Sequence, residues 1–103
     1  MNQQAMLKKI KKLQDEMVAT QKEIEQTVFN SSAGGVVSVE IWGTKEIKSI
    51  KIDPSFLLDS KEDIEMLNDM LVSACNKAYK EIDKTTKEKM EKYNSLLQMG
   101  GLF

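Results

Sequence analysis

Val36-Val37-Ser38-Val39-Glu40-Ile41-Trp42-Gly43-Thr44-Lys45-Glu46-Ile47-Lys48-Ser49-Ile50-Lys51-Ile52 is a run of alternating apolar and polar residues interrupted by one short break. Its first part is dense in β-branched and aromatic residues, and Val37, Val39 and Ile41 share one face. Gly43-Thr44-Lys45 can turn the chain. Glu46 to Ile52 reads as the returning strand, with Ile50 and Ile52 on one face and Ile47 on the other. Asp53-Pro54-Ser55 stops it, because proline has no N–H for the ladder and aspartate favours turns. Upstream, Thr27-Val28-Phe29 is β-prone and Asn30 to Gly35 is rich in turn formers. The stretch predicts a three-stranded antiparallel meander.

Both flanks change period. Over residues 2–28, Met6, Ile10, Leu13, Met17, Thr20, Ile24 and Thr27 recur at alternating spacings of four and three. Leu7, Val18 and Val28 widen this stripe, and neither Gly nor Pro interrupts it, so a long amphipathic helix is expected. After the strands, Phe56-Leu57-Leu58 is expected to tuck into the core. Ser60 is a candidate N-cap with Glu62 and Asp63 in the first turn. Ile64, Leu67, Leu71, Ala74, Ala78 and Ile82 line one helical face, flanked by Met70 and Cys75. Beyond Ile82 the face turns polar, so the helix is expected to run past the core to about Tyr93. The expected class is α+β, an α-β-β-β-α protomer of one domain over 1–103, with a loose tail over 96–103.

The composition excludes whole classes of chemistry. There is no histidine and only one cysteine, Cys75, so no intrachain disulfide, ordinary zinc site or imidazole-based triad can be built. Cys75 lies among Leu71, Ala74 and Ala78 and reads as a small buried apolar residue. Gly34-Gly35 lacks the lysine and spacing of a phosphate loop and reads as a hairpin turn. Trp42 stands apart from any other aromatic cluster and reads as packing, in the core or in a dimer. No catalytic constellation, cofactor, metal or small-molecule substrate is implied. The longest apolar runs fall far short of a membrane span, and Met1 to Leu13 lacks a signal peptide's apolar core, so a cytoplasmic protein is expected.

Charge is the remaining signal. All 15 basic residues are lysine, which removes bidentate arginine readout of guanine or phosphate. Residues 1–14 carry Lys8, Lys9, Lys11 and Lys12 and no acid, and these lie opposite the Met6/Ile10/Leu13 stripe. Lys77, Lys80, Lys84 and Lys87 form a row opposite the apolar face of the last helix, diluted by Glu81, Asp83, Glu88 and Glu91. Either set has a bland reading as a solvated, salt-bridged helix face. Acids gather instead over 59–69, with Asp59, Glu62, Asp63, Glu65 and Asp69 against Lys61. The net charge of −1 thus conceals a bipolar chain, and any nucleic-acid contact would come from local basic ends.

The segments Met6-Leu7-Lys8-Lys9, Ser32 to Val39, Ile47 to Pro54, Asp63 to Ala74 and Asn76-Lys77-Ala78, in this order and spacing, resemble the YbaB/EbfC family of bacterial nucleoid-associated proteins over nearly the full chain. The resemblance implies a tight homodimer with helices protruding like tweezer arms. It also implies binding of double-stranded DNA with little sequence preference, and a place in the nucleoid. Mapped onto this chain, the DNA-contacting residues are Lys8, Lys9, Lys11 and Lys12 on the first helix and Lys84, Lys87, Lys89 and Lys92 near the end of the last. The competing expectation is a protein–protein adaptor that uses the Met6/Ile10/Leu13/Met17 stripe to hold a partner helix.

Overall fold

The computed structural model describes residues 2–94. The order is α1 (Gln3–Glu25), β1 (Val28–Ala33), β2 (Val37–Trp42), β3 (Ile47–Ile52) and α2 (Lys61–Met90), followed by a 3₁₀ turn over Glu91–Tyr93. The strands form one antiparallel sheet in the order β1-β2-β3. The tail expected over 96–103 lies outside the described residues.

Asn2 caps α1, its Oδ1 accepting the Ala5 N–H at 2.8 Å. The helix stops at Glu25 although the apolar stripe runs on to Thr27 and Val28. The sheet claims those residues: Gly43 N–H donates to the Thr27 carbonyl at 2.9 Å, and Val28 pairs with Trp42. β1 is longer than its sequence suggests, since Asn30, Ser31 and Ser32 continue the strand instead of turning. Asn30 sits opposite Glu40 and Ser32 opposite Ser38, on the side of the sheet that α2 leaves open, where polar residues belong. The turn is confined to Gly34 and Gly35, both at positive φ, closed by Val36 N–H on the Ala33 carbonyl at 3.2 Å.

Val37, Val39 and Ile41 alternate inward and are fully buried. A bulge between Glu40 and Ile41 shifts the pairing with β3, so that Ile41 faces Ile47 while Glu40 faces Ser49. Simple alternation puts Ile47 on the opposite face from Ile50 and Ile52. The bulge instead sets all three opposite the buried residues of β2.

Ser60 and Asp63 form a reciprocal capping box, with Ser60 Oγ accepting the Asp63 N–H at 3.2 Å and Asp63 Oδ2 accepting the Ser60 N–H at 3.1 Å. From there α2 packs Leu67, Ala74, Ala78 and Ile82 onto Phe29, Ala33, Val37, Val39 and Ile41. Met70, Leu71 and Cys75 pack partly buried beside them. Small Ala74 and Ala78 let the helix approach β1 and β2 closely. α2 gives β3 no comparable cover. Ile47, Ile50 and Ile52 remain 43–44% exposed, and Ile64 at the start of α2 is exposed as well. The expectation that Phe56-Leu57-Leu58 enters the core holds only for Phe56, which packs partly buried. Leu57 and Leu58 are 66% and 55% exposed, because the Asp53–Ser55 turn carries them past the edge of the sheet.

Candidate functional site

The two helices meet outside the sheet and run antiparallel there. Thr20 Oγ1 lies 3.3 Å from Tyr93 Oη, and Glu23 Oε1 lies 3.4 Å from Lys89 Nζ. Met17, Val18, Gln21 and Glu25 share a groove with Met90. Tyr93 is buried to 1% exposure, so it works as the apolar pin of a two-helix arm. Because α1 runs back past Tyr93 from Thr20 to Gln3, its N-terminal half extends about 25 Å beyond that pin at 1.5 Å per residue. The whole molecule accordingly measures 72 × 19 × 16 Å.

Lys8, Lys9, Lys11 and Lys12 all sit on this projecting half, exposed. None forms an ion pair among the described residues. Met6 and Leu7 are likewise exposed, whereas Ile10, Leu13 and Met17 are half-buried. Only the tip of the stripe named for an adaptor is therefore open.

The four candidates on α2 and the turn after it separate into two kinds. Lys84 and Lys87 are exposed on the outer side of α2. Lys89 falls seven residues after buried Ile82, two turns on the same face, and so points at α1 and pairs with Glu23. Lys92 lies over the Tyr93 ring at 5.1 Å. Glu23, Thr20 and Tyr93 were not legible as a unit from the sequence alone. The signal that could have found them is Lys89's place on the apolar stripe of α2.

Further along α2, Lys77 Nζ donates to the Ser32 carbonyl at 3.1 Å, while Lys80 is exposed on the same outer side. A second long-range ion pair among the described residues joins Lys45 to Asp83 at 2.8 Å, which fixes the β2–β3 turn to α2. Lys45 holds a positive φ of 75°, and Tyr79 Oη donates to its carbonyl at 3.5 Å.

The open face of the sheet is polar. Asn30, Ser32, Ser38, Glu40, Ser49 and Lys51 line a shallow concavity of about 470 Å³. Ser49 Oγ donates to Glu40 at 2.6 Å, and this bond, with Lys48 and Lys51 nearby, holds the Glu40 carboxyl below its ordinary range. Trp42, half-buried at the end of this face, is covered by Lys48 at 5.0 Å from the ring centroid. It is neither a core residue nor an open stacking platform. Among the described residues no helix is long and apolar enough to cross a membrane.

A helix–meander–helix core with lysines on a projecting arm narrows the comparison to proteins of the same plan. A sequence profile of the YbaB/EbfC DNA-binding family matches residues 1–97. The chain belongs to that family. A nucleoid-associated protein of Clostridium novyi is 40% identical over 104 residues, spanning 100% of this chain and 90% of the relative. A nucleoid-associated protein of Lactococcus lactis subsp. cremoris is 40% identical over 94 residues, spanning 90% and 93%. The fold is also similar to the crystal structure of an uncharacterized protein from Helicobacter pylori, at a TM-score of 0.66 and 28% identity, covering 93% of this chain and 98% of that one. Within the YbaB/EbfC plan, the α-β-β-β-α order expected from the sequence is the order found.

Proposed function

We propose that this protein is a nucleoid-associated DNA-binding protein of the bacterial cytoplasm, acting on duplex DNA as a homodimer through the lysines of its arms. The observation that carries the reading is the α1 tip: four unpaired lysines and no acid over residues 1–14, on a helix projecting clear of the core. Family membership and the names of its relatives support DNA as the partner. With no arginine, contact with phosphates and with duplex shape outweighs reading of base edges. The uncovered isoleucines Ile47, Ile50 and Ile52 support self-association, since a second copy would bury apolar surface that α2 leaves in water.

The test is binding of a fluorescent mixed-sequence duplex, with mass read in parallel by sedimentation equilibrium. Eight engaged lysines in a dimer give a slope of log affinity against log salt of roughly −7, a loss on the order of 10⁴-fold between 50 and 200 mM. Replacing Lys8, Lys9, Lys11 and Lys12 with glutamine should abolish retention while the mass stays that of a dimer. Wild-type retention by that variant would remove α1 from the interface. A dimer that binds no duplex at low salt would shift the assignment to the adaptor, which the exposed Met6 and Leu7 favour.

A further inference from the structure

The face of the sheet turned away from α2 is laid out in cross-strand ranks. Ser32, Ser38 and Lys51 form the first, and Asn30, Glu40 and Ser49 the second. Val28 and Trp42 form the third, with Lys48 reaching over the Trp42 ring. Short side chains fill the middle of the face and leave it concave. Ammonium groups stand along both of its edges. Lys48 and Lys51 belong to β3, and Lys77 comes across from α2 to the β1 edge, where its Nζ donates to the Ser32 carbonyl. Glu40 is the acid of these ranks, and it accepts a hydrogen bond from Ser49 Oγ. With Lys48, Lys51 and Lys77 set against Glu40, the face is positive. It also stays open in a dimer that covers Ile47, Ile50 and Ile52, because those side chains lie on the opposite side of the sheet.

These features together fit one class of partner. Phosphates suit the flanking ammonium groups, and the flat face of a base suits Trp42. The hydroxyls of Ser32 and Ser38 and the amide of Asn30 offer donors and acceptors to a base edge or a ribose 2′-OH. A duplex meets only the charge, since its bases are stacked on one another and have no free face. Lys48 covers the ring in the free protein, but an exposed cation–π contact is weaker than base–aromatic stacking. A base therefore displaces the ammonium, which is left beside the incoming backbone.

We propose that the open sheet face is a second nucleic-acid site, selective for single strands, with Trp42 as the stacking platform and Lys48, Lys51 and Lys77 as the phosphate contacts. It shares no residue with the arm lysines and does not rest on the duplex reading.

Trp42 is the only tryptophan in the chain, so its emission reports the site directly. The full chain is titrated with oligo(U), with oligo(dT), each of about ten nucleotides, and with a mixed-sequence duplex. Either single strand should quench Trp42 saturably, with log affinity falling against log salt at a slope of roughly −2 for the phosphate contacts named. Duplex should leave the emission unchanged. K48E/K51E should weaken single-strand binding by about tenfold or more and retain a fluorescent duplex as wild type does. If that double reversal alters the circular dichroism spectrum, Ser38→Glu, exposed in the middle of the face, replaces it and should give the same loss. K8Q/K9Q/K11Q/K12Q should keep the quenching whatever becomes of its duplex binding. Absence of saturable quenching by both single strands overturns the proposal and leaves the duplex reading standing. Wild-type quenching in the folded K48E/K51E or Ser38→Glu variant overturns it as well. So does equal quenching by oligoglutamate, which reduces the face to a general anion surface, or by duplex, which places the sheet in the duplex interface.

Discussion

Tyr93 is the residue on which the geometry of the arm turns. It is 1% exposed, it closes the 3₁₀ turn that follows α2, and its hydroxyl sits 3.3 Å from Thr20 Oγ1. Truncating a buried aromatic to alanine removes about 3–5 kcal/mol, the lost transfer term plus the cavity left behind. Removing the hydroxyl alone removes about 0.5–1.5 kcal/mol, and the long, part-buried Thr20 contact puts Tyr93→Phe at the low end of that range. The sheet core does not include Tyr93: its members run from Phe29 to Ile82. The loss should therefore fall on the arm. At a factor of ten per 1.4 kcal/mol, Tyr93→Ala should raise the opening equilibrium of α1 by about 10² to 4 × 10³-fold, and Tyr93→Phe by only about two- to threefold. Amide hydrogen exchange resolved by segment reads this directly. In Tyr93→Ala, α1 amides from Gln3 to Thr20 should exchange faster while β2 amides keep their protection. Equal acceleration across α1 and β2 would refute the assignment of Tyr93 to the arm alone. No acceleration in either would refute its role as a pin.

Two further outcomes follow from local chemistry. A Cβ on Gly43 would collide with the backbone carbonyl of Ile24, and neither backbone segment can yield without moving the α1–sheet junction. Gly43→Ala should therefore destabilise by about 1–3 kcal/mol or more, seen as a fall of several degrees in the thermal midpoint. On the acid side, the Glu40 carboxyl is held low first by the Ser49 hydroxyl, and that of Asp53 first by the Ser55 backbone N–H and then by its hydroxyl. Both values lie below the ordinary 4.5 and 3.8, so the stabilisation is complete above that range and fades as pH falls through the lowered values. Urea midpoints measured from pH 6 down to 2 should drop less steeply for Ser49→Ala and Ser55→Ala than for wild type.

The sheet was legible because its signal is local: β-branched residues at every second position, then Gly-Thr-Lys, then the same period again. The Ser60 cap was legible for the same reason, as its partner Asp63 is three residues away. What the sequence hid was set by cover and by register. Asn30 to Ser32 have turn-forming side chains, yet cross-strand partners hold them in β1. Ile64, Leu57 and Leu58 have core-forming side chains, yet α2 spans only β1 and β2, and nothing in the local pattern states where the covering helix ends. Ile47 kept its parity with β2 only through the bulge at Glu40, a one-residue slip invisible to alternation. At the candidate interface, the α1 lysines were readable from their clustering alone. The split between Lys84 and Lys87 outside and Lys89 inside depends on where α1 crosses α2, and that contact joins residues 66 apart.

The length of the arm also governs how this protein moves through solvent. One protomer, 72 Å long and 19 Å wide, is nearly four times as long as it is broad, so its friction exceeds that of a sphere of the same 11.7 kDa. On a sizing column it will elute ahead of compact standards of equal mass, and its rotational diffusion will be anisotropic. Elution position alone therefore overstates its subunit number. Fluorophores held with their transition dipoles along and across the long axis will report different tumbling times even when the chain is rigid.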